Sequence, residues 1–261
     1  MRSVRCILLL APLCLALASQ AQIHLSGALS GTLGAGEYLV DSTIVVNEGA
    51  TLTILGGAHL SFAGWYPFKI TGTLLAQGSE QDSVIFDCDP LANPLLWHGL
   101  RFTGSGASAS RLSYCRISLG NAQTYWPENS GGGIFCMSAA PIFEHCLISA
   151  NTATMYGAGI YCYNGPADFL HCTIEYNLCS SQGGGIYASL SPLTIDDCLI
   201  RYNSSGNGTG GGILAISSAM TITNTVISHN SASTTGGTYL SGNPAAAITN
   251  CLVEYNSSTG G

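Results

Sequence analysis

Charged side chains are scarce in this sequence. Lysine, arginine, aspartate and glutamate together make up 8% of its 261 residues, and lysine occurs once, at Lys69. The 7 basic residues are outnumbered by 14 acidic ones. A chain with so few cations is poorly suited to neutralising a phosphate backbone, which argues against a nucleic-acid partner. Glycine, serine, threonine and asparagine carry the polar surface, and the composition lacks the high charge and low hydrophobicity typical of disordered chains.

Helical periodicity is also missing, and so are long apolar runs after the N-terminus. No window shows apolar residues at i, i+3, i+4 and i+7, which excludes repeats built from helices. The apolar run 7–18 is too short to span a membrane. Arg2 and Arg5 precede it and Ser19-Gln20-Ala21 follows it, which is the pattern of a signal peptide, 1–21, with its cleavage site. We therefore expect a mature chain that begins at Gln22, a secreted or cell-surface location and no transmembrane helix.

The chain repeats two phrases from residue 131 onward. The first has the form Gly-Gly-x-Ile, with variations, and begins at Gly131, Gly157, Gly183, Gly210 and Gly236. The second ends at Ile148, Ile174, Ile200, Ile227 and Val253. Three residues after each of these ends stands an asparagine, namely Asn151, Asn177, Asn203, Asn230 and Asn256. Self-similarity at a period of about 25–27 residues indicates a solenoid or a propeller.

The spacing inside each repeat decides between these architectures. Apolar residues alternate over short runs, as in Ile134 and Cys136, which indicates strands. A propeller blade needs roughly 40 residues for its four strands, so the repeat is too short for one. We predict an all-β chain folded as a single-stranded right-handed parallel β-helix, with coils about 4.8 Å apart. Residues 22–115 would form an N-terminal cap and irregular first coils, and 116–261 regular coils that continue beyond residue 261.

Residues one period apart become neighbours in a column when coils stack. Ile134, Ile160, Ile186 and Ile213 are expected in one buried column. The residues His145, His171, Asp197, Asn224 and Asn250 share a turn position, and these types tolerate a left-handed backbone. The repeated asparagines mark a second turn, where side-chain amides can bond to one another along the stack.

Cysteine is the one reactive residue type that the repeat uses often. The sequence has 11 cysteines, and those at positions 6 and 14 leave nine in the mature chain. Cys146, Cys172, Cys198 and Cys251 share one column and are interpreted as small buried hydrophobic residues. Cys88 and Cys179 fall outside the columns and are expected to be reactive or paired.

Three further stretches strengthen a resemblance to known proteins. They are Val46-Asn47-Glu48-Gly49-Ala50-Thr51-Leu52-Thr53-Ile54, Gly72-Thr73-Leu74-Leu75-Ala76-Gln77-Gly78 and Trp97-His98-Gly99-Leu100. With the repeated phrases, they make the chain similar to secreted right-handed parallel β-helix repeat proteins, which share the pectate-lyase-like fold, and to polymorphic outer-membrane proteins of the autotransporter type. The resemblance implies a cell-surface stalk, an adhesin-like module or a glycan-binding scaffold, followed by a C-terminal sorting or anchoring domain. It implies no particular activity, because this fold hosts both enzymes and inert stalks.

An outward stripe and two loops supply the candidate binding residues. Phe135, Tyr161, Tyr187, Leu214 and Tyr239 lie between inward positions, so their side chains could contact a polysaccharide one coil apart. The alternative is cross-strand pairing that only stabilises the sheet. Loops 87–96 and 120–130 project from the solenoid, and Trp97, Tyr125 and Trp126 belong to them or adjoin them.

Catalysis is the alternative to binding. A polysaccharide lyase of this fold would need carboxylates that hold Ca²⁺ and a basic residue that abstracts a proton, and the nearest set is Asp168, Asp196, Asp197 and Arg201. The paired aspartates are also similar to those of glycoside hydrolases of this fold, but their other motifs are missing. His145, His171 and Asp197 could bind a transition metal. We interpret them instead as turn residues in a parallel column, and we expect neither a metal site nor a cofactor.

Overall fold

The computed structural model describes residues 22–242 and 245–260. The predicted signal peptide, 1–21, lies outside them. The described chain consists of short strands that pair in parallel, with one 3₁₀ helix, Ser105–Ala109. Each regular coil contributes one strand to each of three long sheets, and this is the right-handed parallel β-helix that the repeat predicts.

The three long sheets are named here by their position around the coil. The front sheet contains Phe68–Ile70, Leu100–Thr103, Ile134–Met137, Ile160–Tyr163, Ile186–Ser189, Ile213–Ile216 and Thr238–Ser241. The middle sheet contains Gly31–Leu33, Thr51–Leu55, Thr73–Gln77, Arg111–Ser113, Ile142–Glu144, Ala167–Leu170, Leu193–Asp196, Met220–Thr223 and Ala246–Thr249. The back sheet contains Ala58–Phe62, Val84–Asp87, Cys115–Ser118, Leu147–Ser149, Thr173–Glu175, Leu199–Arg201, Val226–Ser228 and Leu252–Glu254.

Two further groups of strands complete the coil. A short ladder follows the back sheet and contains Asn121–Ala122, Thr152–Ala153, Leu178–Cys179, Ser204–Ser205, Ser231–Ala232 and Ser257–Ser258. At the N-terminal end, Ile23–Ala28 pairs along Gly36–Val46. The strand Gly36–Val46 runs from the back sheet into the front sheet and so joins the two.

The core is a set of columns along the helix axis. Ile134, Ile160, Ile186 and Ile213 pair in register in the front sheet and are all fully buried. The column continues toward the N-terminus through Leu100 and Phe68. In the middle sheet, Phe143 and Phe169 stack with ring centroids 5.1 Å apart. The predicted inward columns are therefore confirmed.

The turn between the middle and back sheets has a left-handed backbone in every regular coil described. His145, His171, Asp197, Asn224 and Asn250 have φ between 51° and 55°. The residue before each repeated asparagine is also left-handed, and here the types are less expected: Ala150, Tyr176, Tyr202, His229 and Tyr255. Short polar side chains suit the first turn, as predicted.

The repeated asparagines form a buried ladder. Nδ2 of Asn151, Asn177, Asn203 and Asn230 donates to Oδ1 of the next asparagine at 2.9, 2.9, 3.0 and 3.0 Å. In Asn203, Nδ2 also donates to the Ile174 carbonyl, and Oδ1 also accepts the Asn177 backbone N–H. Each interior amide thus uses its donors and acceptors on the coils beside it, which removes the penalty of burying it.

The nine cysteines in the described part of the chain are free thiols. Cys146, Cys172 and Cys198 are buried in one column, as predicted, and Cys115 extends it, whereas Cys251 of the predicted column is only partly buried. The expectation that Cys88 and Cys179 are reactive or paired is wrong. Burial raises the pKa of Cys88 to about 12 and that of Cys179 to about 11, so both stay protonated. Cys179 does occupy a column, because it pairs with Ala153 in the short ladder.

Across residues 22–242 and 245–260, no helix has the length and apolar character that crossing a bilayer requires.

Candidate functional site

A groove lies on the outer face of the front sheet, near its N-terminal end. Its volume is about 230 Å³. The floor follows one outward column, in which Val45, Lys69, Arg101 and Phe135 are paired strand to strand. Pro127 and Glu128 form one wall, and the threonines and methionine of a neighbouring outward column line the rest: Thr71, Thr103 and Met137.

The wall belongs to loop 120–130, and buried or partly buried side chains tie this loop to the coil. Trp65 Nε1 donates to the Asn121 carbonyl at 2.6 Å. Arg101 Nη1 donates to the carbonyls of Ser130 and Gly131 at 2.7 and 2.8 Å. Because its N–H donors bond to loop carbonyls, this guanidinium holds the loop in place and is not available to a ligand.

Arg101 is charged despite its burial. It is 5% exposed, and its guanidinium lies 4.4 Å from the centre of the Phe135 ring. Burial lowers the pKa of Arg101 to about 10, which still leaves it protonated at neutral pH. Glu128 Oε2 accepts from Nη2 at 3.4 Å and balances this charge at the rim of the groove.

His98 supports the same loop in its neutral form. Burial, with the positive charge of Arg101, lowers the pKa of His98 to about 3. Its Nε2 therefore donates to the Glu128 carbonyl at 2.8 Å as an uncharged imidazole, and its ring stacks on Trp65 with centroids 4.1 Å apart. The donors that hold the loop wall, neutral His98 and charged Arg101, therefore keep their protonation states near neutral pH.

Lys69 is the free charge of the groove. Its side chain is exposed, and it makes no ion pair with any residue of the described ranges. Beside the wall, Tyr125 and Trp126 are exposed by 87% and 56%. The sequence predicted these two aromatic residues as binding candidates, but no pattern in it placed Lys69 and Arg101 near the loop that carries them. Lys69 and Arg101 are neighbours because the strands of successive coils pair even where the coils differ in length.

The aromatic stripe does not face solvent. Phe135, Tyr161, Tyr187 and Leu214 point out of the coil, but they are between 1% and 8% exposed. They form a second small core, because Tyr156 packs against Tyr161 and Tyr187. The expectation that these rings are open to a polysaccharide is therefore corrected. In this stripe only Tyr239, at 39%, has substantial exposure.

The glycines of the first phrase explain why the stripe is covered. Gly131, Gly157, Gly183 and Gly210 have φ between 58° and 70°, and their segments fold back over the front sheet. A Cβ at Gly183 would lie 2.8 Å from Cβ of Tyr187, and one at Gly210 would lie 2.6 Å from Cβ of Leu214. Only glycine combines this backbone with such a close approach.

Trp97 is not a surface residue either. It is fully buried and stacks on Phe62 with centroids 4.3 Å apart, while Nε1 donates to the Ser118 carbonyl at 2.7 Å. Its expected binding role is therefore wrong. A buried tryptophan whose N–H has a partner is a packing residue.

The candidate catalytic set does not converge. Asp196 accepts hydrogen bonds from Thr223 and Asn224, which lower the pKa of its carboxyl, and Asp197 bonds to His171. Arg201 lies in the back sheet and pairs with Glu175 at 2.8 Å. Asp168 also lies in the middle sheet, but it pairs with Thr194, two residues before Asp196. The structure brings no acid, base and calcium cradle together from these four residues.

Comparison with known proteins agrees with this architecture. A family model described as "Right handed beta helix region" matches residues 97–208 and 155–261. The matched residues cover more than half of the chain, and the chain belongs to this family of right-handed β-helix proteins. No curated protein and no solved structure matches the chain.

Proposed function

We propose that this β-helix is a non-catalytic extracellular module that binds an acidic glycan in the groove beside Lys69. The observation that carries the proposal is the exposed Lys69 ammonium. It lies on the floor of a preformed groove in a chain whose formal net charge is −7. A cation that remains unpaired on an acidic protein is suited to a carboxylate ligand.

The shape and lining of the groove support a saccharide ligand. Val45 and Met137 supply apolar surface for the carbon–hydrogen faces of a sugar, and the hydroxyl of Thr103 is a polar partner. Tyr125 and Trp126 offer exposed rings beside the groove, where a longer glycan chain would pass. The loop wall is held in place before any ligand arrives, which lowers the entropy cost of binding.

The pairing of the groove's carboxylate supports binding without turnover. In the described part of the chain, the carboxylate that lines the groove is Glu128, and it pairs with Arg101. A catalytic base would have to be free to accept a substrate proton. The extracellular location rests on the predicted signal peptide, 1–21, and on the resemblance to secreted β-helix proteins.

Calorimetric titration with an oligogalacturonate, and with its carboxyl-reduced counterpart, tests the proposal. Wild type should bind the acidic oligomer, and Lys69→Gln should weaken that binding by about tenfold, as expected for a lost charged hydrogen bond. Trp126→Ala should weaken both oligomers. The controls are Arg116→Gln, an exposed cation on the back sheet, and Tyr176→Ala, an exposed ring at another turn.

Three outcomes would contradict the proposal. The first is an affinity that is equal for the charged and the reduced oligomer, and the second is an affinity lowered as much by Arg116→Gln as by Lys69→Gln. The third is release of unsaturated uronate during the titration, which would show a lyase instead of a binding module.

A further inference from the structure

A cluster at the turn between the middle and back sheets lies apart from the groove. Glu144, His145 and His171 each offer a ligand atom, and these atoms lie within 4.8 Å of one another. The side chains are exposed by 50%, 36% and 40%. We propose that they form a binding site for a divalent transition metal such as Zn²⁺.

The two imidazoles are held side by side by the coil repeat. They occupy the same turn position on adjacent coils and have φ of 52° and 54°. Their ring centroids lie 4.6 Å apart and the planes are inclined by 11°. Two nitrogens that share one Zn²⁺ lie at most about 4.2 Å apart, because each bond is about 2.0–2.1 Å long. The stacked rings must turn toward each other for their nitrogens to share one ion, and these partly exposed side chains can do so by rotation about their own bonds.

The side chains of a turn column run parallel and do not meet at one point. Glu144 adds a ligand atom from outside the column, close to His145. It precedes His145 at the end of a middle-sheet strand, and its Oε1 lies 4.0 Å from His145 Nε2. Two imidazole nitrogens and one carboxylate oxygen are ligands that Zn²⁺ takes in proteins, and solvent can supply the fourth. The sequence pattern predicted Asp197, and not the neighbouring Glu144, as the third candidate ligand.

Asp197 has a different role in this site. It lies one coil further along the column, and its Oδ2 accepts a hydrogen bond from His171 Nδ1 at 2.9 Å. In the neutral tautomer that makes this bond, the proton is on Nδ1 and the lone pair of Nε2 can bind a metal. A carboxylate that orients a ligating histidine in this way is a common support of zinc sites. On the other side, Tyr114 stacks on His145 with centroids 4.5 Å apart and restricts its ring.

The coil repeat also supplies conservative substitutions for a test. Asn224 and Asn250 occupy the same turn position at φ of 54° and 55°, so His145→Asn and His171→Asn keep a residue type that this turn already accepts. His229→Asn is the matched control, because His229 is exposed at a left-handed turn position of another column.

Calorimetric titration of the untagged chain with Zn²⁺ tests the site. Wild type and His229→Asn should bind one ion with equal affinity, and His145→Asn and His171→Asn should each weaken binding at least tenfold. Asp197→Asn should weaken it by about tenfold, the lower end of what loss of a supporting carboxylate does. Co²⁺ bound to wild type should show a visible absorption spectrum that His145→Asn abolishes.

Several results would overturn the site. They are an absence of Zn²⁺ binding by wild type, binding that survives both histidine substitutions, and an equal loss in His229→Asn. Thermal melts of each variant without metal check folding. Should a histidine variant fail to fold, Glu144→Gln takes its place, since this change on an exposed side chain should still weaken Zn²⁺ binding, and unchanged affinity would count against the site.

Discussion

At the scale of single residues, the repeated asparagines bring polar groups into the coil and bond them to one another. Asn203 is fully buried, yet its amide exchanges hydrogen bonds with both adjacent coils. A sequence of the form Asn-x-Ser also marks a glycosylation acceptor. In the folded chain the Asn203 amide is enclosed, whereas Asn207, in the neighbouring acceptor sequence, is exposed.

Asn203→Ala should lower the free energy of unfolding by about 3–5 kcal/mol, because it leaves several buried donors and acceptors without partners. Among them are the Asn177 amide and the Ile174 carbonyl. Asn207→Ala should stay within about 0.5 kcal/mol of wild type. Urea unfolding followed by circular dichroism measures both. A small effect at position 203 would mean that the ladder adds little to stability.

A second residue, His59, links stability to pH. It lies between Glu37, 2.8 Å from Nδ1, and Asp87, 2.7 Å from Nε2. The hydrogen bond to Asp87 is the main cause that raises the pKa of His59 above 6.5, and the charges of both carboxylates add to it. The folded state therefore holds the proton more tightly than the unfolded state does. This stabilisation is complete below the unfolded pKa and is lost as pH rises through the folded pKa.

The difference in unfolding free energy between wild type and His59→Gln should consequently be larger at about pH 6 than at about pH 9. Asp87→Asn removes the principal acceptor and should shrink that dependence on pH. Denaturant titrations at the two pH values measure it. An equal difference at both would show that protonation of His59 does not contribute to folding.

At the scale of elements, the front-sheet strands from Ile134–Met137 to Ile213–Ile216 pack on both of their faces. Ile186 points into the coil, and Tyr187 points outward beneath the segment that begins at Gly183. Simple alternation treats the outward residue as exposed. The glycine turn reverses that expectation, because it folds back over the strand that follows it.

Tyr187→Ser should therefore cost about 3 kcal/mol, as removal of a packed aromatic ring does. Tyr239→Ser, at the same strand position but 39% exposed, should cost less than about 1 kcal/mol. Ile186→Asp should unfold the central coils, since an unpaired buried charge costs several kcal/mol. Thermal melts rank the three variants. If Tyr187→Ser proves as mild as Tyr239→Ser, the outer core is not a source of stability.

At the scale of the whole molecule, stability comes from stacking of coils and not from covalent links. The nine thiols of the described chain are free, and all except Cys251 are buried. Hydrogen bonding between neighbouring thiols of the column, together with burial, raises the pKa of Cys172 and Cys198 well above the ordinary range of a cysteine. Neither a reductant nor a reagent that attacks exposed thiolates should therefore disrupt the fold.

A reductant should leave the melting temperature of the chain from residue 22 unchanged. A chromogenic disulfide reagent should modify Cys251 first, because it is the partly exposed cysteine, and should reach the others only after denaturation. Thiol counts before and after unfolding measure this. A lower melting temperature in reductant would indicate a disulfide and contradict the free-thiol column.

The repeat by itself determined the stack of coils, the inward isoleucine column, the left-handed turn at His145 and its equivalents, and the ladder through Asn203. These features follow from the regular stacking of the coils. Because the coils lie about 4.8 Å apart, residues one period apart in the sequence are neighbours in space. Tertiary structure alone decided the surroundings of residues where coils differ in length or fold back. Trp97 stacks on Phe62, and Arg101 reaches the loop carbonyls, through contacts that no fixed period specifies. Tyr161 is buried for a similar reason, since a positive φ at Gly157 turns the preceding segment over it.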